Sequence, residues 1–194
     1  MRLLRLLPIA FLALWLTGCG INNIPTYEEQ AKAAWSQVQN QYQRRADLIP
    51  NLVETVKGFA EQEREVLTSV VEARAKATSV QISPEMLSDP AAVERYQEAQ
   101  QQLSGALSRL LVTVERYPDL KSNQNFLALQ AALEGTENRI GVARRDYIDA
   151  VRVYNTELKT IPGRWWASFF YGGPEPMATF EAAEGSATPP PVKF

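Results

Sequence analysis

The chain contains no histidine, and this absence excludes several kinds of active site. Histidine-based catalytic triads, zinc sites with histidine ligands and Glu-x-x-His di-iron bundles all need an imidazole. The sequence also lacks a Gly-x-Ser-x-Gly nucleophile elbow and a Gly-Lys-Ser/Thr phosphate-binding motif. These absences predict a protein that is not an enzyme and that binds no cofactor and no metal.

Cysteine is almost absent as well, since Cys19 is the only one. If that thiol is consumed by a modification, no disulfide or thiolate site is left, and the fold depends on packing alone. Neither sign of charge dominates, with 20 basic and 22 acidic residues. A mildly acidic balance gives no electrostatic reason to bind nucleic acid.

The first residues have the composition of a targeting signal. Arg2 and Arg5 form a short basic region, and an apolar run too short to span a bilayer comfortably follows them. The run ends in Leu16-Thr17-Gly18-Cys19, which resembles a bacterial lipobox. The resemblance predicts a signal peptide over residues 1–18 and lipid on Cys19. An ordinary signal peptide with a stray cysteine, or an uncleaved anchor, is the alternative.

Lipidation would attach the mature chain to a membrane on its non-cytoplasmic face. More than one acyl chain makes such attachment stable. Gly20, rather than aspartate, would be the second residue of the mature chain. By resemblance to Gram-negative sorting, this favours the outer membrane and a periplasmic position.

After a polar linker over residues 19–25, apolar residues recur every 3.5 positions, which is typical of helices packed at a shallow angle. The clearest series has one member every seven residues: Phe126, Leu133, Ile140, Tyr147, Tyr154 and Ile161. The pattern predicts an all-α domain over residues 26–171. Its predicted architecture is an antiparallel up-down-up-down bundle of four long helices. Residues 172–194 are rich in glycine, proline and alanine, and a loosely ordered tail is expected there.

Pro50 lies inside a helical pattern, where proline removes a backbone donor and clashes with the carbonyl of Ala46. Asp47 is a suitable N-cap, which would place Pro50 in the tolerated first turn. We therefore expect the first two helices to meet at Asp47–Pro50. The apolar stripe keeps its phase through Pro50, which favours one bent helix instead. Length favours the break, because a helix from Thr26 to Val80 would extend about 80 Å and leave its first half uncovered.

An aromatic segment follows the last long helix, and we expect it to form a short helix. Its five aromatic residues are Trp165, Trp166, Phe169, Phe170 and Tyr171. In the predicted bundle, the first helix begins and the last helix ends at the same end, so this segment would lie near the lipid. It is then either a membrane-interface belt or a cap over the end of the bundle.

Polar residues placed near the apolar stripes form the remaining candidate site. Arg45 falls at a position that the pattern reserves for apolar side chains, and a charge there needs a partner. The candidate set is Arg44, Arg45, Asp47, Asn51, Glu115, Asn125, Glu137 and Asn138. This set is either a buried network that fixes helix register or a polar groove for a ligand peptide. Three carboxylates, Glu134, Glu137 and Asp146, leave a hydrolase as a minor alternative.

These segments resemble the LemA family. The similar motifs are Ala34-Trp35-Ser36-Gln37-Val38, Arg44-Arg45-Ala46-Asp47-Leu48-Ile49-Pro50-Asn51-Leu52-Val53, Val56-Lys57-Gly58-Phe59-Ala60, Glu115-Arg116-Tyr117-Pro118-Asp119-Leu120-Lys121-Ser122-Asn123, Asn125-Phe126 and Leu133-Glu134-Gly135-Thr136-Glu137-Asn138-Arg139-Ile140. The resemblance implies a membrane-attached helical bundle on the non-cytoplasmic side, with no established enzymatic activity. The chain departs from the family pattern in its lipobox, where members often keep a membrane helix, and in Ile148, where the pattern usually has asparagine.

The leading functional hypothesis is therefore a lipid-anchored scaffold or adaptor that binds another envelope protein. A membrane-shaping or lipid-binding protein that uses the Trp165–Tyr171 segment is the alternative. The expected partners are the membrane and an unknown envelope protein, and association with a second copy of the chain is an open alternative.

Overall fold

The protein is described here by a computed structural model that covers residues 20–180. The predicted signal peptide, the predicted lipidation site Cys19 and residues 181–194 lie outside the described residues. Between residues 20 and 180 all regular secondary structure is helical, which confirms the predicted all-α class. The elements are α1 (Asn23–Lys57), α2 (Arg64–Ser79), a 3-10 helix (Pro84–Ser88), α3 (Pro90–Val114), α4 (Pro118–Lys121), α5 (Gln124–Lys159) and α6 (Gly163–Phe170).

Local capping explains where α3 and α5 begin. The side chain of Asp89 accepts a hydrogen bond from the backbone nitrogen of Ala91 at 3.0 Å, and Pro90 occupies the first helical position. The side chain of Asn123 accepts from the backbone nitrogens of Asn125 and Phe126 at 2.9 and 3.1 Å. Both side chains satisfy donors that a helix start leaves unpaired.

The prediction that two helices meet at Asp47–Pro50 is wrong, because α1 runs through Pro50 without a break. Proline lacks the donor that would pair with the carbonyl of Ala46. Arg74 on α2 supplies the donor instead, since its Nε lies 2.8 Å from that oxygen. Ala46 is buried, so an unpaired carbonyl there would be costly. A side chain from another helix therefore makes the interior proline tolerable.

The segment from Gly58 to Glu63 connects α1 to α2. Glu63 accepts hydrogen bonds from the Tyr117 hydroxyl at 2.8 Å and from Arg116 at 3.0 Å. The amide of Gln62 donates to the same hydroxyl at 2.9 Å. These bonds fasten the α1–α2 connection to the end of α3.

Other helices cover α1 along its whole length. The expectation that an unbroken first helix would leave its first half uncovered is therefore wrong. With 36 residues, α5 is as long as α1, which has 35. Asn23 hydrogen bonds to Glu157 at 3.2 Å, the rings of Trp35 and Tyr147 lie 5.2 Å apart, and Arg45 pairs with Glu137. Residue numbers therefore rise along α1 while those of the contacting residues fall along α5.

The buried apolar residues form two clusters that follow each other along the helices. The first cluster centres on Trp35, whose ring lies 5.2 Å from that of Tyr96 and 5.7 Å from that of Phe180. The second cluster contains Ile49, Leu52, Val56, Leu103, Leu110, Phe126 and Leu133. Helices α1, α3 and α5 contribute to both clusters, so the two clusters belong to one folded unit.

The segment after α6 is packed rather than loose, which corrects the tail prediction for residues 172–180. The amide of Asn155 donates to the carbonyl of Met177 at 2.8 Å and accepts from its nitrogen at 2.9 Å. The Tyr147 hydroxyl donates to the carbonyl of Ala178 at 2.8 Å. Phe180 closes the first apolar cluster, with the guanidinium of Arg144 4.5 Å from its ring centre.

Candidate functional site

A buried polar layer separates the two apolar clusters, and Arg45 is its centre. Arg45 on α1 is 1% exposed. Its Nη2 donates to the side-chain oxygen of Gln100 at 2.7 Å and to the Gln100 carbonyl at 3.2 Å. Its Nη1 donates to Glu137 at 2.7 Å and to the Ser104 hydroxyl at 2.8 Å. The guanidinium also lies 5.0 Å from the ring centre of Tyr42.

The layer connects four helices at one level of the molecule. Gln100 on α3 also donates to the carbonyl of Ala77 on α2 at 3.2 Å. Arg45 therefore joins α1 to α3 and α5, and Gln100 extends the connection to α2. Sliding α1, α3 or α5 by one turn would separate the buried charge of Arg45 from acceptors, which is costly. The arrangement suits the interpretation that these residues fix helix register.

The structure brings together only part of the predicted polar set. Arg45 and Glu137 form an ion pair, although the Glu137 side chain remains 46% exposed. The other members lie on the surface and take no part in the layer: Arg44, Asp47, Asn51, Glu115, Asn125 and Asn138. Among these, Asp47 accepts from Gln43 at 2.7 Å, and Glu115 pairs with Lys121. The stripes identified the buried arginine correctly but not most of its partners.

Gln100 and Ser104 are the functional members of the layer that the sequence interpretation missed. Gln100 sits on the apolar stripe of α3 between Tyr96 and Leu103, which was a usable signal. A polar side chain at such a register position needs a buried partner, as Arg45 does. Ser104 carries no comparable signal, because serine is equally common on solvated helix faces.

Tyrosines surround Arg45 on the side of the first cluster. Burial raises the pKa of the Tyr96 hydroxyl, with a further contribution from Tyr42, and the charge of Arg45 opposes the shift. Burial also raises the pKa of Tyr42, against the charges of Arg144 and Arg45. The neutral phenols therefore persist in the folded protein above the pH at which a solvated tyrosine ionises.

A groove of about 420 Å³ opens next to the polar layer. Its lining includes Tyr42, Tyr96, Gln100 and residues 80–83. Gln39 donates across this region to the carbonyl of Ile82 at 3.0 Å. The buried guanidinium of Arg45 does not line the groove, whereas Gln100 belongs to both the polar layer and the groove lining.

The aromatic segment forms α6 as predicted, and its residues divide between two faces. Trp165, Phe169 and Phe170 are 53%, 78% and 62% exposed. Trp166 is half-buried and packs against the first apolar cluster. Tyr171 donates from its hydroxyl to the carbonyl of Ile21 at 2.8 Å, so the segment meets the beginning of the described chain.

The three carboxylates of the hydrolase alternative do not assemble. Glu134 is exposed and accepts from Gln130 on its own helix at 3.0 Å, and Asp146 is exposed. Residues 20–180 contain no group of three or more metal-ligating side chains. No helix among the described residues is long and apolar enough to cross a bilayer.

Comparison with known proteins places these features in a family. The family model for the LemA family matches residues 34–194. Two curated relatives are Magnetosome protein MamQ 2 and Magnetosome protein MamQ 1 of Paramagnetospirillum magneticum strain AMB-1. Each is 26% identical over 175 residues, which covers 82% of this chain and 64% of the relative. The chain thus spans less than two thirds of the length of these relatives. Because the family match takes in the polar layer, α6 and the packed C-terminal segment, the chain belongs to the LemA family.

Proposed function

We propose that this chain is a lipid-anchored, non-enzymatic helical scaffold or adaptor of the bacterial envelope, which holds another envelope protein at the membrane surface. The observation that carries the proposal is the hydrogen bond from the Tyr171 hydroxyl to the Ile21 carbonyl. It fastens the start of the described chain, next to the lipobox cysteine, to the aromatic end of the helical unit.

We also infer that the four long helices alternate in direction, as a bundle. The contacts of α1 with α5 support opposite directions, since Asn23 meets Glu157 while Arg45 meets Glu137. The contacts of Glu63 with Tyr117 and of Gln100 with Ala77 support the same relation between α2 and α3. A bundle that pairs both Nη atoms of Arg45 internally leaves its outer surface free for a partner.

Two further findings support a membrane role without catalysis. The relatives in P. magneticum are named as magnetosome proteins, and a scaffold of membranes or membrane proteins is compatible with that name. Residues 20–180 hold no bilayer-spanning helix. Attachment in this proposal comes from lipid on Cys19. In this proposal the polar layer keeps the helices in register, because the guanidinium of Arg45 is buried.

The anchor is tested by Cys19→Ser, with Thr17→Ser as the control that keeps the cysteine. Mass spectrometry of the purified native protein is expected to show acyl chains on residue 19, and Cys19→Ser is expected to lose them and leave the membrane fraction in processed form. A native protein with an unmodified Cys19 would contradict the proposal.

The scaffold role is tested by photo-crosslinking in intact cells. A photoreactive side chain is placed at Gln43 beside the groove, at Phe59 in the α1–α2 connection and at Leu127 on α5, all exposed positions. We expect the same envelope protein to be captured from neighbouring positions and to be lost in Cys19→Ser. Repeated failure to capture any protein would count against the scaffold, and capture of a second copy would indicate a homo-oligomer.

The exposed aromatics of α6 favour a second candidate function, in which the protein itself binds or shapes the membrane through Trp165–Tyr171. Shaping requires that the wild-type protein change vesicle curvature, which a simple anchored scaffold would not do. Electron microscopy of vesicles with and without bound protein separates the two functions.

A further inference from the structure

One face of α6 is apolar and lies open to solvent. Trp165 and Phe169 are four residues apart and so share one side of the helix. Phe170, which is 62% exposed, and Ile161, which lies two residues before the helix and is 66% exposed, add two further exposed apolar side chains. We name Ile161, Trp165, Phe169 and Phe170 the outer apolar face. Contiguous apolar surface of this kind on a folded protein indicates a contact site rather than a random exposure.

The opposite side of α6 is fixed to the bundle, so the outer apolar face has a defined position. Gly163 and Ala167 are buried. A Cβ atom built on Gly163 would lie 2.2 Å from the carbonyl oxygen of Glu157, which shows how closely α6 approaches the end of α5. Trp166 contacts Phe170, with ring centres 5.8 Å apart, and also packs on the first apolar cluster.

The described chain begins at the same place. Gly20 lies against Glu157, whose carboxylate accepts from Asn23 at 3.2 Å, and Ile21 accepts from Tyr171. Cys19 is one residue away from Gly20, and consecutive Cα atoms are about 3.8 Å apart. Acyl chains attached to Cys19 would therefore enter a bilayer beside the outer apolar face.

The composition around this face suits a lipid surface. Tryptophan and phenylalanine beside basic residues are characteristic of membrane interfaces. Lys159 and Arg164 flank the face, are exposed, and form no salt bridge with other described residues. Basic side chains at a membrane surface attract anionic headgroups. A tether at Cys19 would hold the face at a high effective concentration near the bilayer.

We propose that the outer apolar face of α6 enters the interfacial region of the bilayer that carries the lipid of Cys19. This second, non-covalent contact fixes the α6 end of the molecule against the membrane. The opposite end, with the Glu63–Tyr117 contacts, lies about 50 Å away along α1, which rises about 1.5 Å per residue. The inference rests on the proposed lipid anchor, because the tether brings the face to the membrane.

The test uses the full, lipidated protein in vesicles of phosphatidylethanolamine and phosphatidylglycerol. Trp166→Phe leaves Trp165 as the exposed reporter, with the buried Trp35 as a constant background. Lipids brominated on the acyl chain should quench Trp165 emission severalfold more strongly than the reporter of a control. The control carries Trp165→Phe, Trp166→Phe and Val112→Trp, because Val112 is 72% exposed at the far end of α3.

Two further variants examine the face itself. Phe169→Ser with Phe170→Ser should reduce the quenching of Trp165, whereas Leu127→Ser, at an exposed apolar position on α5, should leave it unchanged. Circular dichroism of each variant checks that the helical content is preserved.

Flotation of the same samples separates the anchor from the face. Flotation with selective quenching of Trp165 supports the inference. Flotation without that quenching overturns it while the lipid anchor stands, and crosslinking from position 169 to a second copy would then assign the face to a dimer. Failure to float would contradict the anchor, and the absence of quenching that accompanies it would overturn the inference as well.

Discussion

At the scale of single residues, Arg74 decides whether the apolar stripe that passes through Pro50 forms one helix or two. Pro50 withholds a donor from the buried carbonyl of Ala46, and Arg74 of α2 donates to it at 2.8 Å. The stripe through Trp35, Tyr42, Ile49 and Val56 then stays buried on both sides of the proline.

Replacing Arg74 with methionine should therefore destabilise the protein in a way that depends on Pro50. Arg74→Met leaves the Ala46 carbonyl unpaired, which costs about 1–3 kcal/mol. In a Pro50→Ala background the backbone nitrogen of residue 50 can pair with that carbonyl, and the same substitution should cost clearly less. Urea unfolding of the four proteins gives the coupling energy directly.

Equal costs of Arg74→Met in the two backgrounds would contradict this account of how the proline is accommodated. Arg109→Met serves as the control, because Arg109 is an exposed residue on α3. Its replacement should have the same small effect in both backgrounds.

Buried tyrosines make a prediction for alkaline solution. Burial raises the pKa of Tyr96 and of Tyr147 above the value of about 10 that is usual for a solvated tyrosine. Above about pH 10 the unfolded chain releases these protons and the folded protein keeps them, so stability should fall as pH rises. This stabilising contribution is fully present below the unfolded pKa.

The measurement is the free energy of unfolding between about pH 10 and 12, for the wild-type protein and for Tyr147→Phe. Each raised tyrosine contributes up to about 1.4 kcal/mol per pH unit to the decline. The free energy of unfolding of Tyr147→Phe should therefore decline less steeply with pH, by up to that amount. Tyr27→Phe, at a half-buried tyrosine, is the comparison variant. Identical slopes for wild type and Tyr147→Phe would refute the assignment.

At the scale of elements, the position of α6 depends on a glycine. The helix-interior glycines Gly105 and Gly141 do not mark close helix crossings, because a Cβ built on either one would have no atom of another helix within 4 Å. Gly163 has this role instead, at the start of α6, where a Cβ would lie 2.2 Å from the Glu157 carbonyl oxygen.

Gly163→Ala should consequently displace α6 from the end of α5. Overpacking of this kind costs about 1–3 kcal/mol, and Trp166 should become more accessible to acrylamide quenching. Gly141→Ala is the matched control, because a helix-interior alanine in open space should stabilise by about 1 kcal/mol. A Gly163→Ala protein with unchanged stability and quenching would mean that α6 is not held as described.

At the scale of the whole molecule, two apolar clusters share three long helices and one polar layer. Trp35 reports on the first cluster, whereas Leu110 lies fully buried in the second. Because α1, α3 and α5 run through both clusters, neither can unfold without breaking helices that the other needs.

We therefore expect a single cooperative unfolding transition. In a Trp165→Phe, Trp166→Phe background, Leu110→Ala should cost about 2–5 kcal/mol and shift the Trp35 fluorescence transition as far as the circular dichroism transition. Val112→Ala, at an exposed position on the same helix, should shift neither. Separate shifts for the two probes would show that the clusters unfold independently.

Several features followed from the sequence because they depend on short-range patterns. Apolar residues seven positions apart gave the all-α class, and the aromatic segment gave α6. The buried position of Arg45 was also readable, because its place on an apolar stripe is a property of the helix alone. The wider polar network was not, since Arg44 and Asn51 proved to be surface residues.

What only the tertiary structure decided are the features that need a partner from far along the chain. The continuity of α1 depends on Arg74, the choice of Gln100 and Glu137 as acceptors depends on which helices face Arg45, and the order of residues 172–180 depends on Tyr147 and Asn155. A local pattern states what a residue needs, such as a donor or an apolar neighbour. Which distant side chain supplies it is set by packing, because only the folded arrangement brings the two within hydrogen-bonding distance.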